Sequence, residues 1–474
     1  MDKSRRDFLK TLGILTTAAS LRSSLFGNQL RAQKQPNIVF ILVDDLGVHE
    51  MSCYGNTYYE SPNIDKLAKE GMLFTDAYAA CPVCSPTRAS IMTGKYPARL
   101  HLTDYIPGAK VSGKEKLLLP EWVQKLMLDE ITIAEALKEA GYSTGHFGKW
   151  HLNIDKNYFP DRPGDPGSQG FDDVLTTVKP KSSDDPYKDP HHVEEITSRA
   201  ISFIERNKSN PFFCYVAHHS IHSPKMERKE LIDKYAAKEG SEIEMNIPKI
   251  GAMVESLDKS IGRIMDKLDE LNLSNDTIVI YFSDNGCSSA KEYLKPLRGG
   301  KAQLYEGGIR EPMIIRWPGV VEVGSTCSVP VSSIDFFPTL LSVVGIKNKY
   351  NVDGVDIMPL LKGYREINRD AIYWHYPHYH PGGIAPSGAI RAGDYKLIEW
   401  FEKSVEGTDK EGALELYDLK NDISEQKNLI KKKPEVAEEL YKKLLQWRTE
   451  VNAQMMQRNP GYVDGYEFRK AEDE

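Results

Sequence analysis

Asn37-Ile-Val-Phe-Ile-Leu-Val43 is a continuous apolar run that stops abruptly at Asp44-Asp45. A run without polar alternation is typical of a strand that is buried on both faces of a helix-covered sheet. Two further apolar runs have the same form: 211–217 ends at a His pair, and 277–282 leads into Asp284-Asn285. Because ligand sites of open α/β sheets lie beyond the carboxyl ends of the strands, these polar clusters are predicted to meet at one edge.

Helical patterns occupy the intervals between these runs. Thr132-Ile-Ala-Glu135 is a capping box, and it predicts a helix that ends near Gly141. The segment 247–271 carries apolar residues at spacings of three and four, which is typical of a long amphipathic helix. Strands alternating with helices predict an α/β fold with a mixed sheet flanked by helices.

After about residue 365 the pattern changes to short strands and turns, at 371–376, 389–401 and 414–419. A terminal amphipathic helix is predicted over 434–455. We therefore expect a smaller C-terminal α+β subdomain with an antiparallel sheet. The predicted division of the chain is an N-terminal segment 1–34, a catalytic domain 35–365 and a C-terminal subdomain 366–474.

The N-terminus has the form of an export signal. Ser4-Arg-Arg-Asp-Phe-Leu-Lys10 precedes an apolar run with small residues, and the Arg pair is typical of a twin-arginine signal read by the machinery that exports folded proteins. Seven basic and two acidic residues give the segment 1–34 a charge of +5, with cleavage expected near Ala32. The sequence thus predicts a periplasmic or extracellular protein.

Composition excludes several classes of protein. The chain has 474 residues, 27% of them charged and 40% hydrophobic, which are the values of a globular protein. The formal charge is 61 − 68 = −7, so the mature part carries −7 − 5 = −12, which argues against a nucleic-acid partner. No stretch reaches the roughly 20 apolar residues of a membrane span, so stable membrane insertion is not expected.

Cys84-Ser-Pro-Thr-Arg88, followed by Thr93-Gly94, is the stretch that indicates chemistry. Cys81 and Cys84 alone have the spacing of a redox CxxC pair, which is one interpretation. The longer pattern resembles the signature of type I sulfatases, members of the alkaline phosphatase superfamily in which this Cys is oxidised to formylglycine. Further blocks in family order extend the resemblance over residues 36–430: Asp44-Asp45, 148–151, 222–224, 284–286, 300–312 and 416–429.

The resemblance implies a metal site formed by Asp44, Asp45, Cys84, Asp284 and Asn285. The carboxylate and amide side chains offer only oxygen, which suits hard cations such as Ca²⁺ or Mg²⁺. The family favours Ca²⁺ over Mg²⁺.

The resemblance also implies catalytic roles for Cys84, Arg88, Lys149, His151, His222 and Lys301. Cys84 would be converted by a formylglycine-generating maturation enzyme to 3-oxoalanine, whose hydrate attacks the sulfur of a sulfate monoester. Arg88, one helical turn beyond Cys84, would steady the alkoxide, and His151 would accept a proton. Lys149 would add positive charge. His222, with Lys301, would protonate or neutralise the leaving oxygen, and His218 and His219 are alternatives to it.

The sequence from 373 to 380 combines four aromatic residues with three His, and Arg391 follows it, before a strand. Aromatic rings stack on sugars, and His or Arg can bind hydroxyl or sulfate groups. The predicted substrate-binding residues are His375, His378, His380, Arg391 and Tyr105. An exported enzyme with this rim is expected to act on a sulfated carbohydrate, either a polysaccharide or a glycosaminoglycan-type sugar.

Three alternatives stay open at this point. The first is an arylsulfatase, or a phosphonate monoester or phosphodiester hydrolase of the same superfamily. The second is a non-catalytic protein that binds sulfated glycans. The third is a redox protein in which Cys81 and Cys84 are equally necessary.

Overall fold

Residue 35 begins the described part of this computed structural model, which continues to residue 468 except for 155–158, 160–161, 245, 289–295, 382–383, 406–409 and 467. The predicted export signal at 1–34 lies outside the described residues. The strands are β1 Asn37–Val43, β2 Met72–Phe74, β3 Ala77–Tyr78, β4 Leu117–Leu118, β5 Ser143–Gly148, β6 Asp173–Thr176, β7 Phe212–Ala217, β8 Thr277–Ser283, β9 Met313–Arg316, β10 Ser325–Cys327, β11 Val331–Ser332, β12 Ile372–Tyr376, β13 Ser387–Ala392, β14 Tyr395–Trp400, β15 Leu414–Asp418 and β16 Gln457–Arg458.

Eight of these strands form the central sheet, in the order β10-β2-β9-β8-β1-β7-β5-β6. Strands β8, β1, β7, β5 and β6 are parallel, whereas β9 runs antiparallel to β8 and to β2. The three long apolar runs of the sequence are the adjacent strands β8, β1 and β7. Their carboxyl ends therefore meet at one edge of the sheet, as the mixed α/β fold predicted.

The apolar run of β1 separates two hydrophobic cores. Ile38, Phe40 and Leu42 belong to the core on one face of the sheet, while the alternate residues, including Val39 and Ile41, belong to the core on the other face. Because successive strand residues point to opposite faces, burial on both sides requires every position to be apolar.

Helices cover the sheet, and their bounds are α1 Pro62–Glu70, α2 Cys84–Thr93, α3 Pro97–Leu100, α4 Ile133–Glu139, α5 Val193–Asn207, α6 Lys229–Ala236, α7 Pro248–Glu270, α8 Glu306–Ile309, α9 Phe336–Val343, α10 Met358–Leu361, α11 Phe401–Ser404, α12 Lys410–Ala413 and α13 Pro434–Glu450. The predicted capping box opens α4, where Thr132 Oγ1 accepts from the backbone N–H of Glu135. Of the helices in the described ranges, none has the length and apolar character needed to cross a bilayer.

The C-terminal part forms the predicted antiparallel sheet, in the order β12-β13-β14-β15. The segment predicted as one strand at 389–401 is the hairpin formed by β13 and β14. Ile390 and Leu397 pack with Leu440 of α13 on one face of this sheet. Ile398 packs on the other face with Tyr78, which belongs to β3. The domain boundary at 365/366 stays a prediction.

A buried ion cluster joins the C-terminal sheet to helix α8. Lys396 Nζ of β14 lies 2.7 Å from Glu306 Oε1 at the start of α8 and 2.6 Å from Glu425 Oε1, and all three side chains are fully buried. Burial, opposed by Lys396, raises the pKa of Glu425 to about 7. The two carboxyl groups share this ammonium group, and Glu306 also pairs with Arg310, whose Nε lies 2.7 Å from Glu306 Oε2.

Replacing Lys396→Met is expected to lower the free energy of unfolding by about 3–5 kcal/mol, because Glu425 stays buried and loses its cation while Glu306 keeps only Arg310. The measurement is the shift of the urea unfolding curve. Lys420→Met is the matched control, since Lys420 is 71% exposed and lies 4.0 Å from Asp394, and its expected change is within about 0.5 kcal/mol. Equal small effects of both changes would contradict a stabilising role for the buried cluster.

Candidate active site

Four side chains with oxygen ligands meet beyond the carboxyl ends of β1 and β8. Asp44 and Asp45 follow β1, and Asp284 and Asn285 follow β8, which pairs with β1 along its whole length. The register continues past the strands, because Asp284 N–H donates to Val43 O at 3.1 Å. Asp45 adopts a left-handed φ of 63°, a region that Asp tolerates better than most residues. This turn places its N–H 3.3 Å from Asp284 Oδ1.

Cys84 is the first residue of α2, and the whole helix is buried. Its Sγ and one carboxylate oxygen each from Asp44 and Asp284 lie within 4.8 Å of one another. The thiol therefore lies next to the two carboxylates. If residue 84 were oxidised, its oxygen would replace Sγ at this position.

The polar atoms of this cluster fit a divalent cation. Asp44 Oδ1 and Asn285 Oδ1 are buried and have no hydrogen-bond donor within the described chain. Leaving such an acceptor unsatisfied costs about 1–3 kcal/mol, which a bound cation would offset. Carboxylate and amide oxygens are the ligands that Ca²⁺ and Mg²⁺ prefer.

Each of the three carboxylates has its own cation. Lys149 Nζ lies 2.7 Å from Asp44 Oδ2, and Lys301 Nζ lies 2.5 Å from Asp45 Oδ1. Arg88 approaches Asp284 Oδ2 through Nε at 2.9 Å and through a terminal nitrogen at 2.7 Å. These cations gather at the site from α2, from the end of β5 and from the segment before α8.

The ion pairs do not remove the crowding of negative charge. Burial opposes the charge of Asp44, but Lys149 and other cations outweigh it and hold the pKa of Asp44 well below its ordinary value. Burial, and next the charge of Asp44, raise the pKa of Asp284 well above its ordinary value despite Arg88. The pKa values of the two neighbouring carboxyl groups are thus shifted in opposite directions. A divalent cation between them would stabilise the charged form of both.

His151 contacts the thiol of Cys84 and is held in one tautomer. Its Nε2 lies 2.7 Å from Ile106 O, which can only accept, so Nε2 carries the proton. Its Nδ1, 3.2 Å from Cys84 Sγ, is then an acceptor that points at the reactive side chain. Burial, and then the charge of Lys149, lower the pKa of His151 well below its ordinary value. His151 is therefore a neutral proton acceptor beside residue 84.

His222 and Lys301 lie together at Asp45. His222 Nε2 is 3.9 Å from Asp45 Oδ2, and its Nδ1–H donates to Ser223 O at 2.6 Å. Burial, opposed by Asp45, lowers the pKa of His222 to about 3. Burial also opposes the charge of Lys301, but Asp45 outweighs it and raises the pKa of Lys301 above its ordinary range. Of these two groups, Lys301 carries its proton at neutral pH.

The two alternative His residues have other partners. His218 Nε2 lies 3.2 Å from Ser260 Oγ, and His219 Nε2 lies 3.0 Å from Thr177 Oγ1. Both rings are buried, whereas the side chain of His222 is 17% exposed. The exposed ring is the one that an incoming ester can reach.

Of the five predicted substrate-binding residues, three are buried and two are half-buried. His375 is buried and bonds to Gln454 O at 2.8 Å, and Arg391 lies in a buried ion network with Asp76 at 2.8 Å. These positions argue against direct substrate contact for either residue. His378 is also buried, at 2.8 Å from Thr103 Oγ1.

Tyr105 and His380, by contrast, are half-buried, and their rings lie 5.7 Å apart. Asp104 is not among the residues predicted from the sequence, and its Oδ1 accepts from the Tyr376 hydroxyl at 2.9 Å. Nothing in the pattern around a lone Asp indicates a partner so distant along the chain. Strand β5 ends at Gly148, and Lys149 and His151 both follow it.

The chain is similar to known proteins both in sequence and in structure. The family model described as Sulfatase matches residues 36–346, and the model described as N-sulphoglucosamine sulphohydrolase, C-terminal, matches residues 300–450. Human arylsulfatase A is 30% identical, over 85% of this chain and 84% of that protein. The N-acetylgalactosamine-6-O-sulfatase of Bacteroides thetaiotaomicron is 30% identical, over 86% of this chain and 92% of that protein. The solved structure of Ps i-CgsB in complex with k-i-k-neocarrahexaose has a TM-score of 0.72 and 26% identity, covering 87% of this chain and 93% of that chain.

The oxygen cluster is expected to bind a divalent cation that stabilises the fold. A cation at 100 times its dissociation constant adds about 2.7 kcal/mol, so EDTA should lower the thermal midpoint and excess Ca²⁺ should restore it. Asp44→Asn is expected to abolish this response, whereas Asp129→Asn, at an exposed acidic position, should keep it. An undiminished response in Asp44→Asn would place the cation elsewhere.

Proposed function

The chain belongs to the sulfatase family and is a sulfuric ester hydrolase, and we propose that its substrate is a sulfated carbohydrate. The observation that carries the proposal is the contact of Cys84 with His151 within a cluster of three carboxylates and three cations. Two of the similar proteins support the substrate class: one is named for an N-acetylgalactosamine sulfate and the other holds neocarrahexaose.

The family implies a divalent metal and a formylglycine, and we assign the metal as Ca²⁺, held by Asp44, Asp45, Asp284, Asn285 and residue 84. The ligand set supports this assignment because the side chains other than residue 84 offer only oxygen. When bound, the cation would add positive charge where the ester oxygens lie. A maturation enzyme that generates formylglycine from Cys84, and the twin-arginine machinery for export to the periplasm or beyond, are proposed as partners.

Residue 84 and its neighbours have separate proposed roles in the reaction. An oxidised residue 84 would supply, as its hydrate, an oxygen nucleophile with a second hydroxyl group. His151 Nδ1 points at this position and can accept a proton from that hydroxyl group. Arg88 and Lys149 hold the carboxylates in place and supply fixed positive charge to an anionic ester.

Lys301, with His222 beside it, is the proposed donor to the leaving oxygen. Lys301 already carries a proton, whereas burial lowers the pKa of His222 to about 3 and leaves its ring neutral. A sugar alcohol is a poor leaving group, so its oxygen needs a proton or a close positive charge as the S–O bond breaks.

Two of the alternatives differ from the proposal in what they require. A redox pair requires both thiols, yet Cys81 is buried, and burial raises the pKa of its thiol well above the ordinary value. A glycan-binding protein requires neither thiol nor the acceptor nitrogen of His151. Relative rates on aryl sulfates and phosphodiesters test the remaining hydrolase alternatives.

Cys84→Ser is expected to lose essentially all turnover, and Cys81→Ala is expected to keep most of it. Alongside turnover, the mass of the peptide that contains residue 84 is measured in wild-type protein produced with a formylglycine-generating partner. An aldehyde or its hydrate at residue 84 supports the proposed nucleophile. An unmodified thiol in active protein, or full turnover by Cys84→Ser, would contradict it.

Lys301→Met is expected to lower kcat/KM on a sugar sulfate by about 10²–10⁴-fold and to affect an activated aryl sulfate much less, since a phenolate leaves without a proton. His222→Gln should show the same selectivity with a smaller magnitude. Lys347→Met, in an exposed segment, is the control. Equal losses on both esters would show that Lys301 acts in binding the sulfate and not at the leaving oxygen.

A further inference from the structure

Tyr105 and His380 come together from distant parts of the sequence beside the active site. Their ring centroids lie 5.7 Å apart, and the rings meet edge to face at 69°. Both side chains are half-buried, although Asp104 and His378 beside them are fully buried. The two rings therefore present accessible surface, and the residues behind them do not.

The segment that carries Tyr105 is bound to the catalytic residues on two sides. The next residue, Ile106, accepts from His151 Nε2 at 2.7 Å and donates its N–H to Ser85 Oγ at 3.1 Å. Ser85 follows Cys84 in α2, and His151 contacts its thiol. Tyr105 thus directly precedes Ile106, whose backbone is hydrogen-bonded to both Ser85 and His151.

Packing places the same ring beside Lys301. Tyr105 packs against the buried cluster Cys81, Val83, Ala302, Tyr376 and Ile384. Ala302 directly follows Lys301, the proposed proton donor to the leaving oxygen. Tyr105 therefore lies near the proposed proton donor, whose charge also acts on its hydroxyl group.

Asp104 connects the two segments that carry the rings. Its Oδ1 accepts from the Tyr105 N–H at 2.9 Å and from the Tyr376 hydroxyl at 2.9 Å. A parallel contact joins Thr103 Oγ1 to His378 Nε2 at 2.8 Å. No Lys or Arg of the described ranges forms an ion pair with Asp104, and burial raises its pKa to about 7. A buried carboxyl group held by neutral donors acts as a link between segments and not as a charge for a ligand.

We propose that Tyr105 and His380 form a wall that binds the sugar ring bearing the sulfate, and that Asp104 positions this wall. The inference rests on the proposed function, because a wall of this kind serves a ring-shaped leaving group. Tyr105 offers an aromatic face to the C–H face of a pyranose, and the imidazole offers a hydrogen bond to a hydroxyl group. His380 is a neutral ring, since burial, and then Lys301, lower its pKa to about 4.

The test compares sugar binding with sulfate binding in the matured, metal-loaded enzyme. Tyr105→Ala and His380→Ala are each expected to lower kcat/KM about 10-fold to 100-fold on the best substrate from a panel of monosulfated galactose, glucosamine and N-acetylgalactosamine. The loss should lie mainly in KM. The inhibition constant of inorganic sulfate, which fills only the anion site, should change less than twofold. Tyr105→Phe should recover most of the loss, and Tyr364→Ala, which removes a ring that is 68% exposed, should leave all constants unchanged.

Asp104 is tested through its partner. Tyr376→Phe removes the hydroxyl donor and should raise KM for the sugar more than it lowers kcat, again without a change in sulfate inhibition. A parallel loss of sulfate affinity would mean general damage to the site and would overturn the positioning role.

The outcomes separate the two proposals. If wild-type enzyme cleaves a sulfated sugar and the ring variants leave its KM unchanged, the wall is wrong and the carbohydrate function stands. If wild-type enzyme cleaves 4-nitrophenyl sulfate and no sugar of the panel, the carbohydrate function fails and the wall fails with it.

Discussion

Three buried carboxylates at the ends of two adjacent strands impose the main constraint on this structure. Asp44, Asp45 and Asp284 have at most 1% of their surface exposed, so water cannot stabilise their charge. An isolated buried carboxylate would take up a proton, because burial disfavours the charged form. Asp44 and Asp45 therefore stay ionised because cations lie beside them.

This requirement explains why distant parts of the chain converge on one edge of the sheet. Lys149 follows β5, Arg88 lies in α2, and Lys301 precedes α8, and each reaches a different carboxylate. The parallel arrangement of β8, β1, β7 and β5 brings the ends of these strands together. A continuous apolar run, which buries both faces of β1, is the condition for that arrangement.

The sequence predicted the parts of this structure that depend on local patterns. The runs at 37–43, 211–217 and 277–282 identified the central strands within one residue. The polar residues after the first and third runs meet in the cluster that could hold a metal ion, as expected from their positions. The short strands β2, β9 and β10 escaped prediction because three or four residues carry little periodicity. The role of Asp104 depends on a hydrogen bond to Tyr376, and no local pattern encodes a contact across that many residues. The burial of His375 and Arg391 is likewise set by packing between the sheets, so their composition suggested a substrate role that their contacts do not support.

The balance of charge also explains how an acidic protein can hold an anionic ester. The part of the chain after residue 34 carries −12, but at physiological salt its field is screened beyond about 8 Å. Within the site, three carboxylates and three cations sum to zero, so the side chains alone provide no net attraction. A divalent cation in the oxygen cluster would bring the sum to +2 and would leave a net positive charge after a monoanionic ester is bound. The ion pairs help to keep Asp44 and Asp45 ionised, whereas Asp284, whose pKa stays raised beside Arg88, would be ionised by the bound cation. The neutral rings of Tyr105 and His380, which lie outside this cluster, add no charge to that balance. Affinity for sulfate and selection of the sugar are thus assigned to different residues.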